Sequence, residues 1–307
     1  MTLAAPFPYF GGKRRIAPLV WRALGDTPNF VEPFAGSLAV LLGRPHAPHV
    51  ETVNDVDCFV VNFFRALAAD PEGVARWCDW PVTEPDVNAR HQWLVDSVEF
   101  RERMNTDPDH YDVKRAGYWV YGICAFIGQG WCSRAPGVGV QRQLPHLGNA
   151  GRGVHRLSQD PKELINYLKL LATRLRRVRI ACGDWSRVLT DAVTWRNGLT
   201  GIFLDPPYAD GDVDYSAGGR GVSAAVAEWC REHGDDKRLR IVLAGYDGEH
   251  TMPDTWKVHQ WRGNKGYAVD ENENRERERL WLSPHCLSIV TQRGLLDLLD
   301  EKEDDDG

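Results

Sequence analysis

Gly201-Ile202-Phe203-Leu204-Asp205-Pro206-Pro207-Tyr208 (GIFLDPPY) is an apolar run that ends abruptly in an acid, two prolines and an aromatic. The run reads as a buried strand, and two prolines cannot continue one. At average composition the tetrapeptide DPPY arises by chance in on the order of one chain in a thousand of this length. The prolines fix the backbone and remove two donors, leaving nearby carbonyls free to accept hydrogen bonds. An Asp carboxylate and a Pro carbonyl can together receive both hydrogens of an exocyclic amine. Tyr208 supplies a flat face on which a planar base stacks. Read alone, the same residues also suit a tight strand-to-loop turn with a solvated Asp.

Working outward, strand-like and helix-like segments alternate. Asn29–Glu32 runs through a Gly-bearing turn into LAVLL, and Val50–Asn54 is a second strand that ends at Asp55. CFVVNFFRALAA (58–69) has helix length, Asp70 to Asp109 is helical and polar with Pro81 and Pro85 as breaks, and Val113–Ile127 is a mostly buried helix. Gly128–Gly153 is a Gly-rich loop, of a length that is uncommon unless it serves a function. Asp160-Pro161 opens a helix whose buried stripe is Leu164, Leu168, Leu171 and Leu175. Further strands are expected at Arg177–Ala181, Gly201–Leu204 and Arg240–Ala244, with a helix at 222–233. Trp256–Arg262 and Arg277–Ser283 read as an antiparallel pair. Such alternation predicts an α/β sheet. The interval from roughly 65 to 175 has no convincing strand and reads as a helical insertion.

Three further motifs fall beside strands. Glu32-Pro33-Phe34-Ala35-Gly36 is a turn at a strand end, and Asp55 follows nineteen residues beyond Gly36. Such a turn lets backbone approach a ligand while the acid holds ribose hydroxyls, although a dinucleotide enzyme would show similar spacing. Pro8-Tyr9-Phe10-Gly11-Gly12-Lys13 pairs glycines with a cation suited to a carboxylate or phosphate. It lacks the Gly spacing and following hydroxyl of a phosphate loop. Cys182-Gly183-Asp184-Trp185 would line the same sheet edge as Asp205, or simply provide a capping Asp and a core Trp.

The charges divide unevenly. The chain has 37 Lys+Arg and 43 Asp+Glu, and residues 297–307 alone hold seven acids and one Lys, so the remainder sums to zero. Val113–Ile180 carries twelve Lys or Arg against Asp160 and Glu163, a balance of +10. A polyanion is the natural partner, since each neutralised phosphate releases counterions; a solvated basic helix is the plain alternative. No apolar stretch is long enough to span a bilayer, and the first residues lack a secretory pattern. Seven scattered cysteines without C-x-x-C argue for reduced thiols in a cytoplasmic protein rather than zinc or disulfides.

In order and content these motifs resemble the Dam-like (D12 class) DNA adenine-N6 methyltransferases. The resemblance runs over about residues 6–65 and 176–285. It implies a Rossmann-like α/β sheet formed by a discontinuous catalytic domain (1–64 and 176–290), a mainly helical target-recognition insertion (65–175) and an acidic tail (291–307). It implies S-adenosyl-L-methionine as cofactor with no metal, held by Tyr9, Phe10, Gly12, Lys13, Glu32, Pro33, Phe34, Gly36, Asp55, Asp184 and Asp205. Asp205, Pro206, Pro207 and Tyr208 would be catalytic, acting on an adenine rotated out of the duplex. The expected partner is double-stranded DNA, with Arg134, Arg142, Arg152 and Lys265 as candidate contacts. A restriction nuclease is a candidate second partner, in a prokaryotic or phage-infected cell. One departure stands out: the family's turn commonly has a second Gly two residues after the first, where this chain has Leu38.

Other readings remain open from sequence. Cytosine N4, RNA adenine or a protein glutamine would suit the same amine chemistry. A dinucleotide oxidoreductase would account for Gly36 with Asp55 but not for DPPY. A non-catalytic DNA-binding relic would account for Leu38.

Overall fold

The computed structural model describes residues 3–9, 13–95, 98–107, 109–127, 131–132, 144–147, 152–157, 160–207, 219–261 and 278–289. The elements before the insertion are α1 (Ala17–Leu24), β1 (Asn29–Glu32), α2 (Ala39–Leu42), β2 (Val50–Asp55) and α3 (Cys58–Ala69). Then come α4 (Pro71–Cys78), α5 (Glu84–Val95), α6 (Val98–Thr106), α7 (Val113–Ala125) and α8 (Pro161–Leu175). The chain returns to the sheet with β3 (Val178–Cys182), β4 (Thr200–Leu204), α9 (Gly219–His233), β5 (Leu239–Tyr246), β6 (Lys257–Gln260) and β7 (Glu278–Leu282).

Among the described residues one sheet holds seven strands in the order β3-β2-β1-β4-β5-β7-β6. The first five lie parallel, and β7 runs antiparallel to both β5 and β6. This is a Rossmann-like sheet with an antiparallel strand at one side. The order reverses between β1 and β4, so the carboxyl ends of those two strands open the crevice where ligands of such sheets bind. Because β7 is antiparallel, its first residue, Glu278, pairs with Tyr246 at the same edge of the sheet.

Both faces are covered, so the central strands are buried throughout. Phe30, Val53, Phe203, Val242, Leu280 and Leu282 point into one apolar cluster with α1, α3, α7 and α8. Val31, Ile202, Leu204, Ile241, Leu243 and Trp281 alternate onto the other face, against α9 and Trp256. The inserted helices thus share a continuous apolar cluster with the sheet. At the N-terminus of α8, Asp160 accepts the Lys162 N–H, and Leu164, Leu168, Leu171 and Leu175 are buried as the spacing predicts. Asp57, Asp70 and Asp112 cap α3, α4 and α7 likewise.

Two local expectations need correction. Pro85 does not break a helix; it stands in the first turn of α5, where its missing N–H would have no intrahelical partner. The +10 segment is partly neutralised inside the fold. Arg174 reaches β2 to bond both oxygens of buried Glu51 (2.6 and 2.9 Å), and Lys169 pairs with Glu72. All seven cysteines are free thiols.

Candidate active site at the carboxyl edge of the sheet

The turn after β1 and the end of β2 are built as one unit. Gly36 has φ +45°, and a Cβ there would lie 2.5 Å from Cδ1 of Tyr9, so the tyrosine ring packs against a position only glycine suits. The Gly36 N–H donates to Asp55 Oδ2 (2.9 Å), and the Asp57 N–H donates to Oδ1 (2.9 Å). Burial, the first cause, and then neighbouring Asp57 push the Asp55 carboxyl up to about 7. Asn54 Nδ2 donates to the carbonyls of Pro33 and Gly183, both at 3.0 Å, tying the turn after β1 to the segment after β3. Across that tie the rings of Phe34 and Trp185 stack with centroids 6.3 Å apart.

The second half of the site is a charge cluster. Lys13 Nζ stands 3.1 Å from Asp205 Oδ1 at the end of β4 and 3.8 Å from Glu278 Oε2 at the start of β7. Trp261 covers it, with its ring centroid 5.7 Å from the ammonium. Burial pushes Glu278 up to about 7, while Lys13 draws it back down. Glu32, at the end of β1, is buried and raised as well, by desolvation first, and it accepts the Leu41 N–H. Pro206 and Pro207 follow Asp205 directly.

The structure therefore brings together Tyr9, Lys13, Glu32, Pro33, Phe34, Gly36, Asp55, Asp205, Pro206 and Pro207 from the sequence reading. Asp184 lies on the same edge but is exposed, and it caps the short turn 185–188 by accepting from Ser186. Arg152 turns toward the protein: Nε donates to the Cys124 carbonyl (3.2 Å) and Nη2 to that of Phe126 (2.8 Å), clamping the end of α7. Phe10, Gly12, Arg134, Arg142, Tyr208, Lys265 and the acidic tail lie outside the described residues. Sequence reasoning missed Asn54, Trp261 and Glu278. Glu278 did carry a signal, because it is in phase with Leu280 and Leu282 on the buried face of β7.

The sheet order, with an Asp-Pro-Pro turn closing β4 at the switch point, fits the Rossmann-like fold of methyltransferases. A family model described as D12 class N6 adenine-specific DNA methyltransferase matches residues 9–119. Proteins named DNA adenine methylase from two strains of Vibrio cholerae serotype O1, O395 and El Tor Inaba N16961, are each 22% identical over 251 residues. The alignments cover 78% of this chain and 80% of theirs. The family model and the relatives' names both point to adenine-specific DNA methylation as the activity of the proteins that this chain resembles. Among the described residues no helix is long and apolar enough to cross a membrane.

Proposed function

We propose that the protein transfers a methyl group from S-adenosylmethionine to N6 of adenine in double-stranded DNA, at the edge formed by the ends of β1, β2 and β4. The observation that carries this is Asp205, held by Lys13 at 3.1 Å at the switch point of the sheet and followed by two prolines.

The residues at the edge fit the cofactor. A glycine turn that a Cβ would fill, a buried acid at the end of β2 and a stacked aromatic pair suit an adenosine moiety. Tyr9, Lys13, Phe34, Gly36 and Asp55 would hold it, with Phe10 and Gly12 adjoining in sequence. When bound, S-adenosylmethionine supplies an electrophilic methyl on a positively charged sulfur.

The protein's own part is to present the amine. Rotating the adenine out of the duplex costs a few kcal/mol, which stacking on Tyr208 and hydrogen bonding offset. Asp205 and the Pro206 carbonyl accept the two N6 hydrogens and aim the nitrogen lone pair at the methyl. Once N6 carried the methyl group, its surplus proton would leave to solvent. Positioning and electrostatics supply the rate, and Asp205 need not be a strong base. Lys13 holds the carboxylate in place through Oδ1 of Asp205.

Duplex DNA would lie over this edge, contacted by the inserted segment and the loop between β6 and β7. Arg134, Arg142 and Lys265 are the candidate contacts, and Arg152 would act by holding the end of α7. The reading places the enzyme in the cytoplasm of a prokaryotic or phage-infected cell, with a restriction nuclease as a candidate counterpart. Incubation with cofactor and mixed-sequence duplex, followed by nucleoside analysis, tests it. Deoxy-N6-methyladenosine is expected; methylated cytosine, RNA or protein in its place would overturn it.

A further inference from the structure

Cys58 opens α3 and Cys182 closes β3, so both stand at the carboxyl edge of the sheet, with their sulfurs 3.8 Å apart. Neither thiol is fully buried, in contrast to those of Cys78, Cys124, Cys132 and Cys230. Each is tied to Asp55. Cys182 is its register partner across β2 and β3, and the next residue, Gly183, donates its N–H to the Asp55 carbonyl (3.1 Å). From the other direction the Asp57 N–H donates to Asp55 Oδ1 (2.9 Å), and Asp57 caps α3 by accepting the Phe59 N–H (2.8 Å). The charged groups acting on the pair are Asp55, Asp57 and Arg101, whose guanidinium lies over the Phe59 ring. The hydrogen bond with Cys182 holds the Cys58 thiol down to about 7, and the thiolate is the form that attacks a disulfide.

We propose that Cys58 and Cys182 form a reversible disulfide that lowers the protein's affinity for its cofactor. The proposal rests on the cofactor reading above, in which Asp55 holds the nucleoside. The oxidant is a small-molecule disulfide. The Cys58 thiolate attacks one of its sulfurs, the S–S bond breaks, and the first small thiolate leaves and takes up a proton. Cys182 then attacks the Cys58 sulfur of the mixed disulfide, and its own proton goes to the second small thiol as that departs. Two protein thiols are thereby oxidised and one disulfide is reduced to two thiols. To bond, the protein sulfurs must close from 3.8 Å to about 2.05 Å. β3 is held to β2 residue by residue from Val178 to Cys182, whereas residues 56–57 are a short link into α3. The movement therefore falls on that link and draws the Asp57 N–H away from Asp55 Oδ1. The bond also closes a stretch of chain that holds α4 to α8, joining β2 and α3 to β3 across the inserted helices. In a reducing cytoplasm the pair stays as thiols, the setting in which such pairs sense oxidants rather than serve as permanent bridges.

Equilibrating the reduced whole protein with oxidised glutathione, blocking the remaining thiols with N-ethylmaleimide, and following with peptide mapping and isothermal titration with S-adenosylmethionine tests this directly. A cross-linked peptide pair carrying Cys58 and Cys182 is expected, lighter than the reduced pair by the mass of two hydrogens. S-adenosylmethionine should bind the oxidised protein about tenfold more weakly, the loss expected for one hydrogen bond to a charged group. Dithiothreitol should restore the affinity. Cys58→Ser and Cys182→Ser should each bind S-adenosylmethionine as reduced wild type does and should not respond to the oxidant. Since wild type is compared with itself in two redox states, the result stands even if neither variant folds. A glutathione adduct that persists on Cys58, or a bond to any other cysteine, would overturn the pairing. A mapped Cys58–Cys182 bond with unchanged affinity would overturn the switch. Failure of the reduced protein to bind S-adenosylmethionine would overturn the cofactor reading and the switch with it, while the peptide map would still decide the pairing.

Discussion

Asp55 Oδ2 accepts the backbone N–H of Gly36 at 2.9 Å, which joins the end of β2 to the turn after β1. The other oxygen takes the Asp57 N–H. Both oxygens therefore face donors, and an amide cannot satisfy both. Asp55→Asn should cost about 1–3 kcal/mol of stability, the usual penalty for a mispaired buried polar group, and about tenfold or more in nucleoside affinity. A thermal melt together with ligand titration reads both effects. Unchanged affinity would remove Asp55 from the binding site.

Leu38 adopts φ 62°, ψ 25° with its side chain fully buried, the conformation a glycine would take without strain. Left-handed backbone costs a leucine roughly 1–2 kcal/mol, whereas emptying a buried leucine site costs about 2–5 kcal/mol. Packing wins. Leu38→Gly should therefore lower stability by about 2 kcal/mol in denaturant unfolding, and a stabilised variant would refute this account of the turn.

Cys58 and Cys182 face each other from the α3 and β3 ends, with sulfurs 3.8 Å apart. Hydrogen bonding between them pulls the Cys58 thiol down, whereas burial pushes Cys78, Cys124, Cys132, Cys230 and Cys286 up. Thiolate is the reactive form. Brief iodoacetamide treatment at pH 7.5 should label Cys58 first, and Cys182→Ala should slow that labelling several-fold. Peptide mapping that finds a buried cysteine labelled earlier would contradict this.

Glu278 also makes stability depend on pH. Its carboxyl titrates near 7 in the folded ligand-free protein and near 4.3 when unfolded, so the folded state binds the proton more tightly. The resulting stability is fully present below about pH 4 and is lost as pH rises through 7. Glu278→Gln removes this loss. Relative to wild type, the variant's melting temperature should therefore rise between pH 5 and pH 8; a constant difference would mean that Glu278 does not titrate in that window.

How far the sequence can be read depends on whether the controlling interactions are local. Asp160, Pro161 and the four leucines announced α8 because capping and helical spacing are settled within a few residues. The strands of the sheet core and the β6–β7 pairing were legible for the same reason, through apolar runs and alternation. Strand order was not, since it depends on contacts such as that of β1 with β4, far apart in the chain. The site divides the same way. DPPY and the Gly36 turn stood out as compact motifs, but Glu278 reaches Lys13 only because antiparallel β7 brings its first residue to the shared edge. Arg152 reads from sequence as a DNA contact because its acceptors, the carbonyls of Cys124 and Phe126, carry no side-chain signature.

The most direct test compares wild type with Asp205→Ala on the same duplex DNA, quantifying deoxy-N6-methyladenosine by mass spectrometry and cofactor binding by titration. The account predicts a methylated product from wild type and at least a thousandfold loss in the variant, about 4 kcal/mol of transition-state stabilisation, with much of the DNA binding retained. A variant that methylates adenine at a near-normal rate would contradict it.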